Sequence, residues 1–412
     1  MKICGIIAEY NPFHNGHKYH LAESMKQSGA DYNIVVMSGN FVQRGAPALL
    51  DKYTRTKAAL LGGADLVIEL PVCYSTGSAE YFSNGAVSLL DQLGCVTHLC
   101  FGSECGELAL LREIAYIYAK EPDAFKEALQ SKLKLGHSFP VARAAALLAV
   151  YPHLSSSLAL LSSPNNILGI EYMKALIRRD SSIKPLTIQR TGAGYHDKEL
   201  DSSFSSATAI RQALSNEICL DQISTQLPSE ALEVYREYAG KTSFLYPDDL
   251  SSLLHYKLLS CHERDYTGYL DVSQDLSDRI AKYLYQFTSF SQFCDLLKTK
   301  ELTHSRISRS LLHILLDIKK SDVSIYVNEL NYTPYARILG FRKASAPLLH
   351  ELGACTSIPL IPKLADAYKI LDETALNMLR QDILTSDIYN SVRAGKSKAG
   401  MTNEYSTPIL II

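Results

Sequence analysis

The ten residues AEYNPFHNGH, from Ala8 to His17, limit most strongly how this chain can fold. They join the apolar run Ile3–Ala8 to the helical segment Lys18–Gln27, so a strand, a tight turn and a helix follow one another directly. This layout aims the free N–H groups of the helix at one point beyond the strand, where an anion can bind. His14 and His17 can donate hydrogen bonds there, and Gly16 leaves room for a phosphate to approach the backbone.

Apolar, β-branched runs then alternate with segments of helical spacing, which predicts an α/β fold with a Rossmann-like, doubly wound parallel sheet. The predicted strands after the first are Tyr32–Met37, Ala64–Leu70, Val96–Phe101 and Lys184–Gln189. The predicted helices include Leu50–Leu61, Ser78–Leu93 and Ile167–Arg179. A polar, glycine-bearing loop, residues 191–197, follows the last of these strands. Beyond Glu217 the alternation fades, so we expect a mostly α-helical C-terminal domain, with boundaries at 1–220 and 221–412.

Bulk composition favours a globular protein without a membrane span. Of the 412 residues 47% are hydrophobic and 20% charged, and the longest apolar runs are far shorter than a bilayer requires. The opening strand leaves no room for a signal peptide, and the nine scattered cysteines fit buried thiols in a reducing cytoplasm. A net charge of −2 gives no global attraction to nucleic acid, so any RNA contact needs a local patch.

The turn His14-Asn15-Gly16-His17 resembles the H-x-G-H signature of the HIGH-type nucleotidyltransferases, and the whole chain resembles the bacterial tRNA(Met) cytidine acetate ligases. The resemblance implies that acetate attacks the α-phosphate of ATP and that acetyl-adenylate then acetylates the wobble cytidine of elongator tRNA(Met), giving N4-acetylcytidine. It implies ATP, acetate and this tRNA as partners, and neither DNA nor a membrane. Mg²⁺ is expected with ATP, although the sequence offers no carboxylate cluster or metal-ligand spacing for it.

Within this hypothesis His14 and His17 are the catalytic candidates, because fixed donors at a helix start can stabilise charge on the phosphates. Histidines that only cap a helix are the alternative. The predicted ATP-binding residues are Ile7, Ala8, Glu9, Tyr10, Asn11, Pro12, Phe13, His14, Asn15, Gly16, His17, Lys18, Tyr19, His20, Gly102, Asn165, Asn166, Arg190, Ser206 and Arg211. Asn165 is preferred to Asn166, Gly102 could be a plain turn glycine, and the segment from Ser205 to Arg211 could be a simple helix cap.

The resemblance implies a tRNA surface, and basic residues, chiefly in the second half, are the candidates for it. Between Lys298 and Lys343 nine basic residues stand against four acidic ones, with aromatic residues interleaved. The predicted tRNA-binding residues are Lys52, Arg55, Lys57, Arg306, Arg309, Arg337, Arg342 and Lys343. A solvated helix face is the alternative.

Two other functions share this fold. One is a mononucleotide adenylyltransferase of cofactor synthesis, which would not need the basic second half. The other is a non-catalytic RNA-binding factor, which would not need an intact His14, Gly16 and His17.

Overall fold

The computed structural model describes residues 1–157, 160–190, 205–261 and 263–412, so the predicted loop at 191–197 lies outside it. The strands are β1 Ile3–Ala8, β2 Tyr32–Ser38, β3 Phe41–Val42, β4 Ala46–Pro47, β5 Leu66–Leu70, β6 His98–Ser103, β7 Lys184–Gln189, β8 Ala336–Phe341, β9 Leu360–Ile361 and β10 Leu410–Ile411. The helices up to residue 220 are α1 Asn15–Ser28, α2 Lys52–Leu61, α3 Val72–Ser75, α4 Ala79–Gln92, α5 Leu108–Lys120, α6 Asp123–Lys134, α7 Phe139–Val150, α8 Pro164–Arg178 and α9 Ala207–Ser215. Those that follow are α10 Ser229–Ala239, α11 Ser251–Ser260, α12 Gln274–Tyr283, α13 Phe290–Leu297, α14 His304–Leu315, α15 Lys320–Asn328, α16 Ala346–Cys355, α17 Leu364–Ile370 and α18 Glu373–Ser397.

The central sheet confirms the predicted fold class. Its strand order is β10-β8-β5-β2-β1-β6-β7, and β5, β2, β1, β6 and β7 are parallel. The chain passes from β1 to one side of the sheet and later returns to place β6 on the other side. Ligands in such sheets bind beyond the carboxyl ends of the strands at this reversal point.

Side-chain caps set several helix boundaries more sharply than hydrophobic spacing does. Asp51 accepts the Thr54 N–H at 2.9 Å, so α2 begins at Lys52 and not at Leu50 as predicted. Ser206 accepts the Ala209 N–H at 3.1 Å and starts α9 at Ala207.

The second half is mainly helical, as predicted, but it also completes the sheet. Strand β8 pairs antiparallel with β5, with Glu69 opposite Arg337 and Leu66 opposite Phe341, and β9 and β10 flank β8. One hydrophobic cluster contains side chains from both halves, including Ile68 and Leu379. The predicted division at 220/221 therefore does not separate two cores. Among the described residues no helix combines the length and apolar character needed to span a bilayer.

Candidate active site

A cavity of about 220 Å³ opens at the carboxyl ends of β1, β6 and β7, where the strand order reverses. Three helices begin at its wall: Gly16 belongs to α1, Asn165 to α8, and Ala207 to α9. The predicted ATP-binding residues that line it are Ile7, Ala8, Glu9, Tyr10, Asn11, His14, Gly16, His17, Tyr19, His20, Gly102, Asn165, Arg190, Ser206 and Arg211. Helix N-termini carry partial positive charge, so the cavity favours an anionic ligand.

His14 and His17 form a reciprocal cap at the start of α1. The Nδ1 atom of His14 accepts the Gly16 N–H at 3.1 Å, and the Nδ1 atom of His17 accepts the His14 N–H at 3.3 Å. Their ring centroids lie 3.8 Å apart. The ring of Tyr10, whose backbone has the left-handed φ of 48°, packs edge-on against His17 at 4.9 Å. Both imidazoles are thus held from two sides.

The same geometry fixes the protonation state of the two rings. Burial lowers the pKa of His14 to about 3, with further contributions from the positive charges of Arg190 and Arg211. Burial also lowers the pKa of His17 well below its usual value, and that of His20 to about 4. Because each Nδ1 of the pair accepts a hydrogen bond, the proton of each neutral ring is on Nε2. The turn therefore offers two uncharged N–H donors to a ligand.

A glycine is needed at position 16 to make room for the His14 ring, whereas from the sequence we expected it to make room for a phosphate. A Cβ at residue 16 would lie 2.9 Å from Cε1 and 3.1 Å from Nδ1 of the His14 ring. The space left by the missing side chain is therefore occupied by the imidazole rather than kept open for a phosphate.

Two of the arginines in the cavity wall, Arg190 and Arg211, lie beside the histidine turn and follow from the sequence. Arg190 follows β7, and its backbone N–H donates to the Ser103 carbonyl at 2.9 Å. Arg211, one turn into α9, donates from Nη1 to the Asn11 carbonyl at 2.6 Å and from Nη2 to Thr208 at 3.1 Å. Arg211 thereby ties the start of α9 to the histidine turn.

The two asparagines of the α8 turn have different roles. Asn165 lines the cavity, whereas Asn166 is fully buried and its Oδ1 accepts the backbone N–H of Glu104 at 3.0 Å. The Glu104 carboxylate in turn accepts the N–H groups of Asn165 and Asn166 at 3.2 and 2.8 Å. Glu104 therefore caps α8, and only Asn165 faces the ligand space. Gly102 allows the Arg190 side chain to pack close to the β6 backbone, because a Cβ at residue 102 would lie only 3.3 Å from the Arg190 Cγ.

Four other predicted ATP-binding residues also lie outside the cavity wall. Phe13 is fully buried, and its backbone N–H donates to the Tyr235 hydroxyl at 2.9 Å. Asn15 donates to the Thr225 carbonyl, and Lys18 pairs with Glu230 at 2.9 Å. Pro12 forms the turn without lining the cavity. Together with Asn166, these residues support the site without facing it.

Sequence reasoning missed part of the wall. The hairpin β3–β4 contributes Gln43 and Arg44, which are not among the predicted site residues. The apolar part of the wall comes from Phe82, Phe101, Leu168, Tyr172 and Ile188. A basic residue in a short loop after a strand at this sheet edge was the available signal for Arg44.

Three predicted tRNA-binding residues are buried, so their assignment to an RNA surface is wrong. Lys52 lies 2.8 Å from Glu69 and 2.9 Å from Glu404, and Arg337 lies 3.2 and 3.1 Å from the same two carboxylates. The exposed fraction of each of these four side chains is 7% or less, so two cations and two anions neutralise each other inside the protein.

Arg55 is fully buried and donates to the carbonyls of Glu9 at 2.6 Å, Ser38 at 3.1 Å, Leu50 at 2.9 Å, and Gly39. It clamps the carboxyl ends of β1 and β2 and has no access to RNA. Helical spacing could not reveal this, because Arg55 occupies a position that was predicted to be a polar helix face.

The remaining basic candidates lie on different sides of the molecule. Arg306 is half-buried on α14, and Arg309 on the same helix pairs with Asp271 at 3.0 Å. That helix packs on the hairpin of the cavity, since Ser308 donates to the Gly45 carbonyl at 2.9 Å. Lys57 is exposed on α2 and pairs with Glu237 at 3.0 Å.

Arg342 and Lys343 are exposed, but the antiparallel direction of β8 places them beyond the amino end of β5. The Arg342 N–H donates to the Asp65 carbonyl there, at 3.0 Å. They therefore lie on the sheet edge opposite the cavity.

No group of three or more histidine, cysteine or acidic side chains that could hold a metal ion occurs among the described residues. Glu9 is the only acidic residue of the described cavity wall. A Mg²⁺ ion at this site would therefore be held mainly by the phosphates of a nucleotide.

Comparison with known proteins gives consistent results. A family model described as HIGH Nucleotidyl Transferase matches residues 1–404. The tRNA(Met) cytidine acetate ligase of Acetivibrio thermocellus is 39% identical over 94% of each chain, and that of Caldanaerobacter subterraneus subsp. tengcongensis is 41% identical over 94% of this chain and 95% of the relative. The crystal structure of Thermotoga maritima TmcAL superimposes with a TM-score of 0.94 at 31% identity, covering all of both chains. The form of that protein bound to alpha-thio ATP gives a TM-score of 0.92 at 31% identity, with coverage of 100% and 99%.

Proposed function

Because the chain belongs to the HIGH nucleotidyl transferase family and, within it, to the tRNA(Met) cytidine acetate ligases, we propose that it activates acetate with ATP and acetylates the wobble cytidine of elongator tRNA(Met). The enzyme is an ATP-dependent ligase. The observation that carries the proposal is the pair of uncharged imidazole donors at the start of α1, which shares one cavity with Arg190 and Arg211.

In the first step, a carboxylate oxygen of acetate attacks the α-phosphorus of ATP and pyrophosphate leaves. This reaction needs alignment and stabilisation of negative charge more than covalent help from the protein. We assign the Nε2–H groups of His14 and His17, with the two arginines, to the phosphate oxygens. Neutral donors suit this role because they are fixed before ATP arrives and do not lose a proton near neutral pH. Mg²⁺ bound to ATP would add charge neutralisation.

The nucleoside of ATP fits the other end of the cavity. Phe101, Leu168, Tyr172 and Ile188 provide an apolar wall for a base, and Asn165 provides polar groups beside Gly102. The product of this step is acetyl-adenylate. It stays in the cavity until a cytidine amine takes the acetyl group and AMP is released.

The acceptor base reaches this cavity from an anticodon loop. A wobble base is already unpaired, so moving it into a pocket costs little base-pairing energy. We propose that the RNA approaches over the hairpin β3–β4 and α14, because Arg44 lines the cavity and Arg306 lies on the helix packed against that hairpin. Lys57, Arg342 and Lys343 stay candidates for contacts with more distant parts of the tRNA. A cytoplasmic location is part of the proposal.

One incubation tests the function. The protein is mixed with ATP, radiolabelled acetate and unmodified tRNA(Met), and both pyrophosphate and acetylated cytidine are measured. The proposal predicts pyrophosphate release that depends on acetate, and label in the wobble cytidine. Pyrophosphate release with nicotinate mononucleotide instead of acetate would indicate a cofactor-synthesising adenylyltransferase. RNA binding without turnover would indicate a non-catalytic factor, and either result contradicts the proposal.

A further inference from the structure

We propose that the carboxylate of Glu9 accepts the proton that the cytidine amine loses during acetyl transfer, an inference that rests on the function proposed above. In this step the N4 atom of cytidine attacks the carbonyl carbon of acetyl-adenylate. The new C–N bond forms, the bond between the acyl carbon and the phosphate oxygen breaks, and its electron pair leaves with AMP. One N4 proton must depart, and a positioned base accelerates such a transfer.

The histidine pair and the arginines of the described cavity wall are unsuited to this task. His14 and His17 each use Nδ1 as a hydrogen-bond acceptor inside the cap, so Nε2 already carries the proton. Arg190 and Arg211 cannot accept a proton.

Glu9 is the one carboxylate among the described residues of the wall, and it is held in place at two points. Its backbone carbonyl accepts a hydrogen bond from the Nη1 group of Arg55 at 2.6 Å. Its side-chain Oε1 accepts the Gln43 N–H at 2.9 Å. The described residues make no hydrogen bond to Oε2, so this oxygen can receive the amine proton. The side chain is half-buried in the cavity, as a group that must meet a substrate has to be.

The position of Glu9 also suits a reaction in which the acceptor base enters the cavity after acetyl-adenylate has formed there. It directly follows β1 and precedes the histidine turn, and its carboxylate is bonded to Gln43 of the hairpin that carries Arg44. A base entering over that hairpin would therefore meet Glu9 beside the activated acetyl group. Arg55, which is buried and cannot contact RNA, would position Glu9 through the hydrogen bond to its backbone carbonyl.

The variant Glu9→Gln tests the inference because a glutamine side-chain oxygen can still accept the Gln43 N–H but cannot take a proton. Two reactions are compared: acetylation of tRNA(Met), and trapping of acetyl-adenylate by hydroxylamine as acetohydroxamate. Hydroxylamine is a strong nucleophile that is uncharged at neutral pH and does not need an enzymic base. The control is Glu23→Gln on α1, a carboxylate outside the cavity wall that pairs with Lys26 and accepts a hydrogen bond from Gln27.

In Glu9→Gln we expect tRNA acetylation to fall on the order of 10²- to 10⁴-fold, while hydroxamate formation stays within about twofold of wild type. Intact trapping also shows that the variant is folded and binds ATP. Glu9→Asp, which keeps the charge on a shorter side chain, should recover part of the transfer rate. Equal loss of both reactions in Glu9→Gln and Glu9→Asp would overturn the inference, since Glu9 would then serve ATP or its metal. Unchanged tRNA acetylation in Glu9→Gln would overturn it as well. If the wild-type protein forms no hydroxamate from acetate and ATP, the proposed function itself has failed.

Discussion

Replacing Gly16 with alanine should displace the His14 ring with a single added methyl group. The new Cβ would lie 2.9 Å from the Cε1 atom of His14, whereas carbon atoms in contact are normally about 3.5–4.0 Å apart. His14 is buried and its ring centroid is 3.8 Å from that of His17, so the ring can yield only by leaving the cap. The bond from the Gly16 N–H to His14 is then lost.

Gly16→Ala should change the unfolding free energy little and the rate of catalysis strongly. Loss of the cap costs about 0.5–2 kcal/mol of unfolding free energy, and alanine in place of glycine in a helix returns up to about 1 kcal/mol. The net loss of stability should therefore be no more than about 2 kcal/mol. Removing one fixed donor from a developing negative charge lowers kcat by about 10²- to 10³-fold. Activity should thus fall far more than stability.

Acetate-dependent pyrophosphate release at saturating ATP and urea unfolding measure the two quantities. Gly395→Ala in α18 is the matched control, because a Cβ there meets nothing within 4 Å and the activity should be unchanged. If Gly16→Ala retained full activity, His14 could not be a donor to the reacting phosphates, and the reasoning would be refuted.

Three further predictions follow from buried and exposed charges. First, the pKa of His14 is lowered to about 3 in the folded protein, so His14 binds a proton more readily in the unfolded chain. Its contribution to the unfolding free energy should therefore fall by about 2 kcal/mol between pH 6.5 and 5. Urea unfolding of wild type and His14→Gln over this pH range checks whether the variant loses less stability as the pH falls. Second, Lys52→Met should cost about 3–5 kcal/mol of unfolding free energy, because it leaves two buried carboxylates with Arg337 alone and so one buried negative charge uncompensated. Lys57→Met, at a surface pair, should cost about 0–1 kcal/mol, and equal effects in urea unfolding would contradict the buried network. Third, Arg306→Ala should weaken tRNA binding and lower the slope of log K against log salt by about 1, without changing acetate-dependent pyrophosphate release. Arg342→Ala should have a smaller effect on tRNA affinity. If Arg342→Ala had the larger effect in a filter-binding salt series, the RNA surface would lie at the other sheet edge.

The parallel part of the sheet was predictable because its strands are continuous apolar runs and its helices carry local caps and stops. The strand β1, the histidine turn and α1 follow from consecutive residues, and so does the position of Arg190 directly after β7. Local signals of this kind are sufficient where each element is contiguous in the sequence.

The features that could not be predicted depend on contacts between residues that are far apart in the sequence. Lys52 and Arg337 resemble surface cations until the sheet brings Glu69 and Glu404 to them, from 17 and 67 residues away. Strand β8 was missed because it lies in a helical context and joins the sheet antiparallel. Glu104 comes directly after β6, but its capping role requires α8 to fold against that strand. In each case the deciding contact is long-range.

The central claim is that the triphosphate of ATP binds at the start of α1 on two neutral imidazoles. A crystal structure of this protein with alpha-thio ATP tests it most directly. The account predicts phosphate oxygens about 2.7–3.2 Å from the Nε2 atoms of His14 and His17, with Arg190 and Arg211 on the same triphosphate. A triphosphate bound elsewhere, or Nε2 atoms that face away from it, would contradict the account.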